Sequence, residues 1–322
     1  MDGIVIEWLL AGDPAIRWQV MRDLLDLPEH SWRTERAKIE AQGWGARFLA
    51  HQDADGRWAG GTFVPAGFTR DDWRREGQPW TATAFVLNQL RILGLDPESE
   101  AARRTIELLR DNARWEHDGE RFWDGEVEEC INGRTLADGA WFGADVSAIA
   151  DKLLAARQAD GGWNCERANG STCSSFATTI NVLEGLLAFE KAQGGSAALV
   201  DARRSGEAYL LRRHLHLGLR YGLPADPDFL LLKSPVRWRY DILRALDYFR
   251  DAGVHDGTSP DTRLGEAIGL VCASRRADGK WVLAEAEQGR SWFPLEPGPG
   301  QPSRWLTLRA LRVLRWWDAA SA

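Results

Sequence analysis

The chain holds four cysteines, and three of them sit where polar loops meet apolar helical patterns. Cys130 opens the run Cys130-Ile131-Asn132-Gly133, while Cys165 and Cys173 flank a single polar loop. Zinc takes thiolate, imidazole and carboxylate ligands in tetrahedral sets. Cys130, Cys165 and Cys173, drawn from two neighbouring helix starts, therefore make a candidate zinc site, its fourth position filled by His117, Asp160 or water. The competing role is packing, because free cysteine is among the most buried residue types, and the C-x7-C spacing is not that of a zinc knuckle. Cys272, within the apolar run LVCASRR, reads as structural.

A second candidate centre is Asp241, with Tyr240 and Arg239 beside it. Asp241 stands three residues after Trp238, as Thr83 stands three after Trp80 and Thr179 three after Phe176. A carboxylate in that position is a candidate acid or base. Its alternative role is a first-turn Asp that meets the helix dipole or pairs with Arg239. Trp80, Thr83, Phe176, Thr179, Trp238 and Trp305 hold such helix-start positions and are candidate substrate-binding residues, aromatic faces suiting an apolar or cationic ligand. His214 and His216, in LRRHLHLGLR, read as a solvated basic helix face.

These residues need helices to position them. Strict apolar–polar alternation is nearly absent and helical spacing recurs, as in Ile180, Leu183 and Leu187, or Ile242, Leu246 and Phe249. Helix stops are equally plain at Gly94 with Pro97, at Gly194-Gly195 and at Gly253. The chain is expected to be all-α. Within it A-D-G-x-W occurs three times, ending at Trp58, Trp163 and Trp281, with a weaker copy at Asp118-Gly119 and Phe122-Trp123. Asp-Gly makes a tight turn, the Trp covers a helix junction, and a nearby Gln (Gln52, Gln158) caps carbonyls. Downstream lie PWTATAFVLNQL from Pro79, SFATTINVLEGL from Ser175, RWRYDILRALDYF from Arg237 and RWLTLRALRVL from Arg304. Each has a leading aromatic and then an apolar helix.

Gln-led D-G-x-W turns, each followed by an apolar helix, resemble the QW-type repeats of squalene-hopene cyclases, and the protein prenyltransferase β subunits carry a related pattern. The resemblance spans roughly Gly43 to Trp317. It implies an α/α toroid over residues 43–322, a double ring of about five helical hairpins around a central apolar cavity that the inner-helix starts face. Residues 1–42, with DPAIRWQVMRDLL, read as a short helical cap of HEAT type. The cyclases' D-x-D-D-T-A acid motif aligns with Pro79 to Ala84, where Pro79, Thr81 and Ala82 replace the acids. The prenyltransferase zinc cysteine aligns with Cys173, but Ser171 replaces its aspartate and no histidine follows before His214. Asp71-Asp72 resembles the magnesium–diphosphate motifs of ionising terpene synthases, against a plainer reading as a solvated helix start. GGWNC resembles the zinc-dependent lanthipeptide cyclases more distantly.

The 322 residues carry a net charge of -7 and 17 tryptophans, and 35 of the 40 basic residues are arginine. Overall acidity disfavours a nucleic-acid binder held by its field. No stretch has the length of a membrane span, the start MDGIVIEW lacks the basic region of a signal peptide, and four cysteines do not make a disulfide scaffold. A cytoplasmic protein with reduced thiols is expected. The resemblance implies a terpenoid-cyclase-like or prenyltransferase-like enzyme on an isoprenoid or other apolar small molecule. The alternative is a non-catalytic toroid binding an apolar ligand or a protein partner.

Overall fold

The D-G-x-W turns do the same thing three times over. A computed structural model describes residues 3–220, 222–286 and 288–320, and in it Trp58, Trp163 and Trp281 are wholly buried. Each indole Nε1 donates to a carbonyl ten residues earlier, on Phe48, Leu153 and Val271. Each Trp backbone N–H donates to a threonine hydroxyl at the start of the following helix, Thr83, Thr179 and Thr307, at 3.0 to 3.1 Å. The turn glycines have φ of +89°, +106° and +80° at Gly56, Gly161 and Gly279, a region that glycine enters without steric penalty. Gln52 Nε2 donates to the Gly56 carbonyl, the capping that its place before the turn implies. The weaker copy differs: Trp123 is buried, but its indole nitrogen finds no hydrogen-bond partner among the described residues.

All of the described regular structure is helical, as the periodicity requires. The elements are α1 (Gly3–Leu10), α2 (Pro14–Asp23), α3 (Glu29–Ala37), α4 (Gly43–Leu49), α5 (Arg70–Glu76), α6 (Thr83–Leu93), α7 (Glu100–Asn112) and α8 (Glu129–Phe142). They continue with α9 (Ser147–Ala155), α10 (Phe176–Gln193), α11 (Ala197–Leu211), α12 (Ile242–Asp256), α13 (Gly265–Ala273) and α14 (Arg304–Ala319). Short polar side chains start several of them: Ser175, Asp241 and Ser303 each accept the backbone N–H three residues on. The even-numbered helices α6 to α14 pack in succession, while α9, α11 and α13 lie against α8, α10 and α12. No helix of the described residues is long and apolar enough to cross a membrane.

The N-terminal stretch shares the core of the rest. Leu9, Ile16 and Trp18 belong to the same buried cluster as Leu183, Leu246 and Leu308. Trp18 donates to the Leu93 carbonyl at 2.8 Å, and Arg312 reaches Gln19 at 2.9 Å. Met1 and Asp2, the first residues of the expected cap, lie outside the described residues. Asp71 and Asp72 fall in α5, where Thr69 and Asp72 form a capping box and Arg74 and Arg75 pair with the two aspartates. That is the solvated helix start. The expected helix face at His214 and His216 is instead a turn after α11, and His216 is buried.

α8 and α10 meet main chain to main chain. A Cβ on Gly133 would stand 2.5 Å from the Asn181 carbonyl oxygen, and one on Gly185 would stand 2.3 Å from that of Gly133. Neither obstacle is a side chain that can swing away. Gly133→Ala is therefore expected to destabilise by about 1–3 kcal/mol through overpacking, read as a lowered midpoint in urea. An unchanged midpoint would show that the helices part freely.

Candidate functional site

Two loops bring thiols together at the start of α8. Gly125 (φ +90°) turns the chain into it, and Asn132 pins the approach by bonding both the N–H and the carbonyl of Glu126, at 2.7 and 2.6 Å. The second loop leaves Trp163 and enters a short 3-10 turn, Cys165–Asn169, capped by the Asn164 side chain. Arg167 ties this loop to Glu129 at 2.6 Å. The result is that Cys130 N–H donates to Cys165 Sγ at 3.2 Å, and the Thr178 hydroxyl donates to the same sulfur at 3.4 Å. Glu128 completes the cluster, its Oε2 accepting from Cys130 Sγ at 3.6 Å. The ligand atoms of Glu128, Cys130 and Cys165 all lie within 4.8 Å of one another.

The pair is electrostatically uneven. The hydrogen bond from Cys130, helped by the Thr178 hydroxyl, lowers the Cys165 thiol against the opposing effect of burial. The hydrogen bond to Cys165, burial and the Glu128 carboxylate push Cys130 well above its ordinary value. The two thiols are thus moved apart, Cys165 downward and Cys130 upward.

These groups open on a cavity of about 390 Å3. Phe63, Phe85, Trp73 and Trp238 supply its aromatic walls, and Arg134, Asp138 and Asn181 its polar floor. The floor is a hydrogen-bonded layer. Arg134 donates to Asn88 at 2.6 Å, and Asp138 accepts from Asn88 and Arg91 at 3.2 and 2.6 Å. Burial, then the charges of Arg244, Arg237 and Arg91, bring Arg134 down to about 10 despite Asp138. Beyond this floor lies a second cavity, of about 340 Å3, between α2, α6, α8, α10, α12 and α14.

The expected site residues divide accordingly. Cys130 and Cys165 converge, but Cys173 does not join them: it is exposed, and its carbonyl accepts from Asn164. Glu128 stands in its place. His117 is exposed and pairs with Asp118, and Asp160 accepts from the Ser174 N–H at the far end of the loop ahead of α10. Trp238 lines the first cavity and Trp305 the second. Trp80 is buried, with its indole donating to the Gln288 carbonyl at 2.6 Å. Phe176 packs among Tyr209, Phe229 and Tyr240. Thr83 and Thr179 are committed to the repeat turns.

Asp241, Tyr240 and Arg239 line neither cavity. Asp241 caps α12, accepting from Arg244 N–H at 2.8 Å, and burial raises its carboxyl despite Arg309 and that bond. Tyr240 donates to the Leu215 carbonyl at 2.6 Å, and burial pushes its hydroxyl far up. Arg239 offers its carbonyl to Arg244 and its guanidinium to the Trp238 ring. Cys272 is exposed on α13.

No family model matches the chain, and no curated protein does. Among solved structures, a protein from Actinoplanes is 16% identical, covering 96% of this chain and 90% of its own, with a TM-score of 0.45. At that identity and score the likeness carries no weight for fold or function.

Proposed function

We propose that the chain is an α/α toroid that takes an isoprenoid or other apolar small molecule into its aromatic cavity and acts on it at Cys130 and Cys165. This is chemistry of the prenyltransferase-like or cyclase-like kind without the D-x-D-D acid. Support for the toroid comes from the packing order, which runs from α6 through α8, α10, α12 and α14 to α2 and α4, and from α4 back to α6. The observation that carries the function is the convergence of two sulfurs and a carboxylate on a cavity walled by Phe63, Phe85, Trp73 and Trp238.

The donors fit zinc. Glu128, Cys130 and Cys165 offer two soft sulfurs and one oxygen, the three-ligand complement of a catalytic site with an open position. When bound, zinc supplies Lewis acidity and lowers the pKa of a coordinated thiol or water. The residues around it do the rest. The Cys130 N–H and the Thr178 hydroxyl both donate to the Cys165 sulfur, which favours its thiolate over its thiol. The aromatic rings of Phe63, Phe85, Trp73 and Trp238 offer apolar surface to the ligand, with Arg134 and Asp138 at the floor.

Protein purified without chelator is expected to carry about one zinc per chain, and Cys165→Ser less than about a tenth. Farnesol is expected to quench the tryptophan fluorescence of the wild type, and to lose that effect in Trp73→Ala/Trp238→Ala. A wild type that neither holds nor takes up zinc overturns the metal centre. Absence of saturable quenching overturns the apolar ligand.

A further inference from the structure

The second cavity sets many charges among apolar walls. Eight cationic side chains line it against three carboxylates. Just behind its wall Asp23 and Asp138 pair with Arg22, Arg312 and Arg91, and the carboxyls of Asp241 and Glu296 lie in the field of Arg309. Asp247 is the most heavily shared acid: Arg250, Arg309 and Arg312 all converge on it.

Two donors in the same cavity are left over. Arg309 is 6% exposed; its Nε reaches Asp247 at 3.3 Å, yet its buried Nη1 has no hydrogen-bond partner among the described residues. Gln89, 2% exposed, has its Nε2 in the same condition. Buried polar atoms are nearly always paired. Water can satisfy a donor, but eight cationic side chains against three carboxylates on one lining favour an anion over water. A guanidinium edge and an amide N–H2 on one cation-rich cavity together ask for an acceptor that carries negative charge.

We propose that this cavity binds a small multivalent oxyanion, held by Arg309 through Nη1 and by Gln89 through Nε2 in the field of the surrounding guanidiniums. Phosphate and carboxylate oxygens both match the planar guanidinium edge. The site lies across the Arg134–Asn88–Asp138 layer from the thiols and does not rest on the zinc reading.

Inorganic pyrophosphate and citrate, each titrated calorimetrically into the full chain at low ionic strength, are the probes, with sodium chloride as control. At least one is expected to bind saturably at one site per chain, the tighter of the two identifying phosphate or carboxylate as the source. Arg309→Gln should weaken that binding at least about tenfold, the worth of one charge-assisted hydrogen bond. Arg103→Gln, on the exposed face of α7, should leave it unchanged. Cys165→Ser should also leave it unchanged, which separates this site from the thiol centre. Gln89→Glu places a carboxylate inside the cavity. It is expected to abolish binding while raising the thermal midpoint, a gain that a merely damaged fold does not give. Two results overturn the proposal: no saturable binding of either probe, or equal weakening by Arg309→Gln and Arg103→Gln.

Discussion

Asp247→Ala is expected to destabilise the protein by about 3–5 kcal/mol, the range for removing one partner of a buried ion pair. Asp247 is the shared acceptor of Arg250, Arg309 and Arg312, and all four groups are largely buried. Burial alone would raise its carboxyl; the charges of Arg312 and Arg250 overcome that and hold it far below the usual carboxylate range. A carboxyl depressed by folding contributes stability above its unfolded value and loses it as pH falls towards the folded one. The Asp247 contribution should thus be intact at neutral pH and decline below about pH 4, the unfolded value for Asp. Asp138 and Asp241 shift the other way, so the measurement is a difference: urea midpoints of variant and wild type from pH 7 to 3. The gap should narrow as pH falls. A gap independent of pH would mean that shape, not charge, holds these helices.

Trp163→Ala and Trp281→Ala should cost about the same stability, about 3–5 kcal/mol each, the usual range for emptying a buried aromatic site. Both indoles are fully buried and both donate to a carbonyl ten residues back. Their local consequences should differ. Trp163 anchors the loop that carries Cys165, two residues on, whereas the loop after Trp281 carries no cysteine. Only Trp163→Ala should release Cys165 from Cys130 and Thr178 and change its rate of alkylation, followed peptide by peptide by mass spectrometry. Equal alkylation of Cys165 in both variants would show that the thiol pair is held by something other than its repeat turn.

Much of this is legible in the sequence. Helical spacing and identical D-G-x-W strings report local geometry, and local geometry is what short patterns encode. Thr83 and Thr179 show where the reading stops. They share a register with Asp241 and so looked like cavity residues, but their partners are backbone N–H groups 25 and 16 residues away. Cys130 and Cys165 stood out because cysteine is scarce. Glu128 did not, since it sits among Glu126 and Glu129 with no spacing to single it out. The cavity between α2, α6, α8, α10, α12 and α14 carries eight cationic side chains. Its signal was present in the arginine excess and in the three-residue steps Arg244–Asp247–Arg250 and Arg309–Arg312. Only packing tells which arginines face inward together.

The glycine contact between α8 and α10 leaves peptide groups alone in the seam at Gly133 and Gly185. Such a seam has no rotamers to hop and little free volume to squeeze out. The distance between α8 and α10 therefore acts as a fixed gauge. Hydrostatic pressure or warming should reshape the aromatic walls before it parts these two helices. What the cavity admits can be retuned by substitutions in its walls while the α8–α10 spacing stays constant.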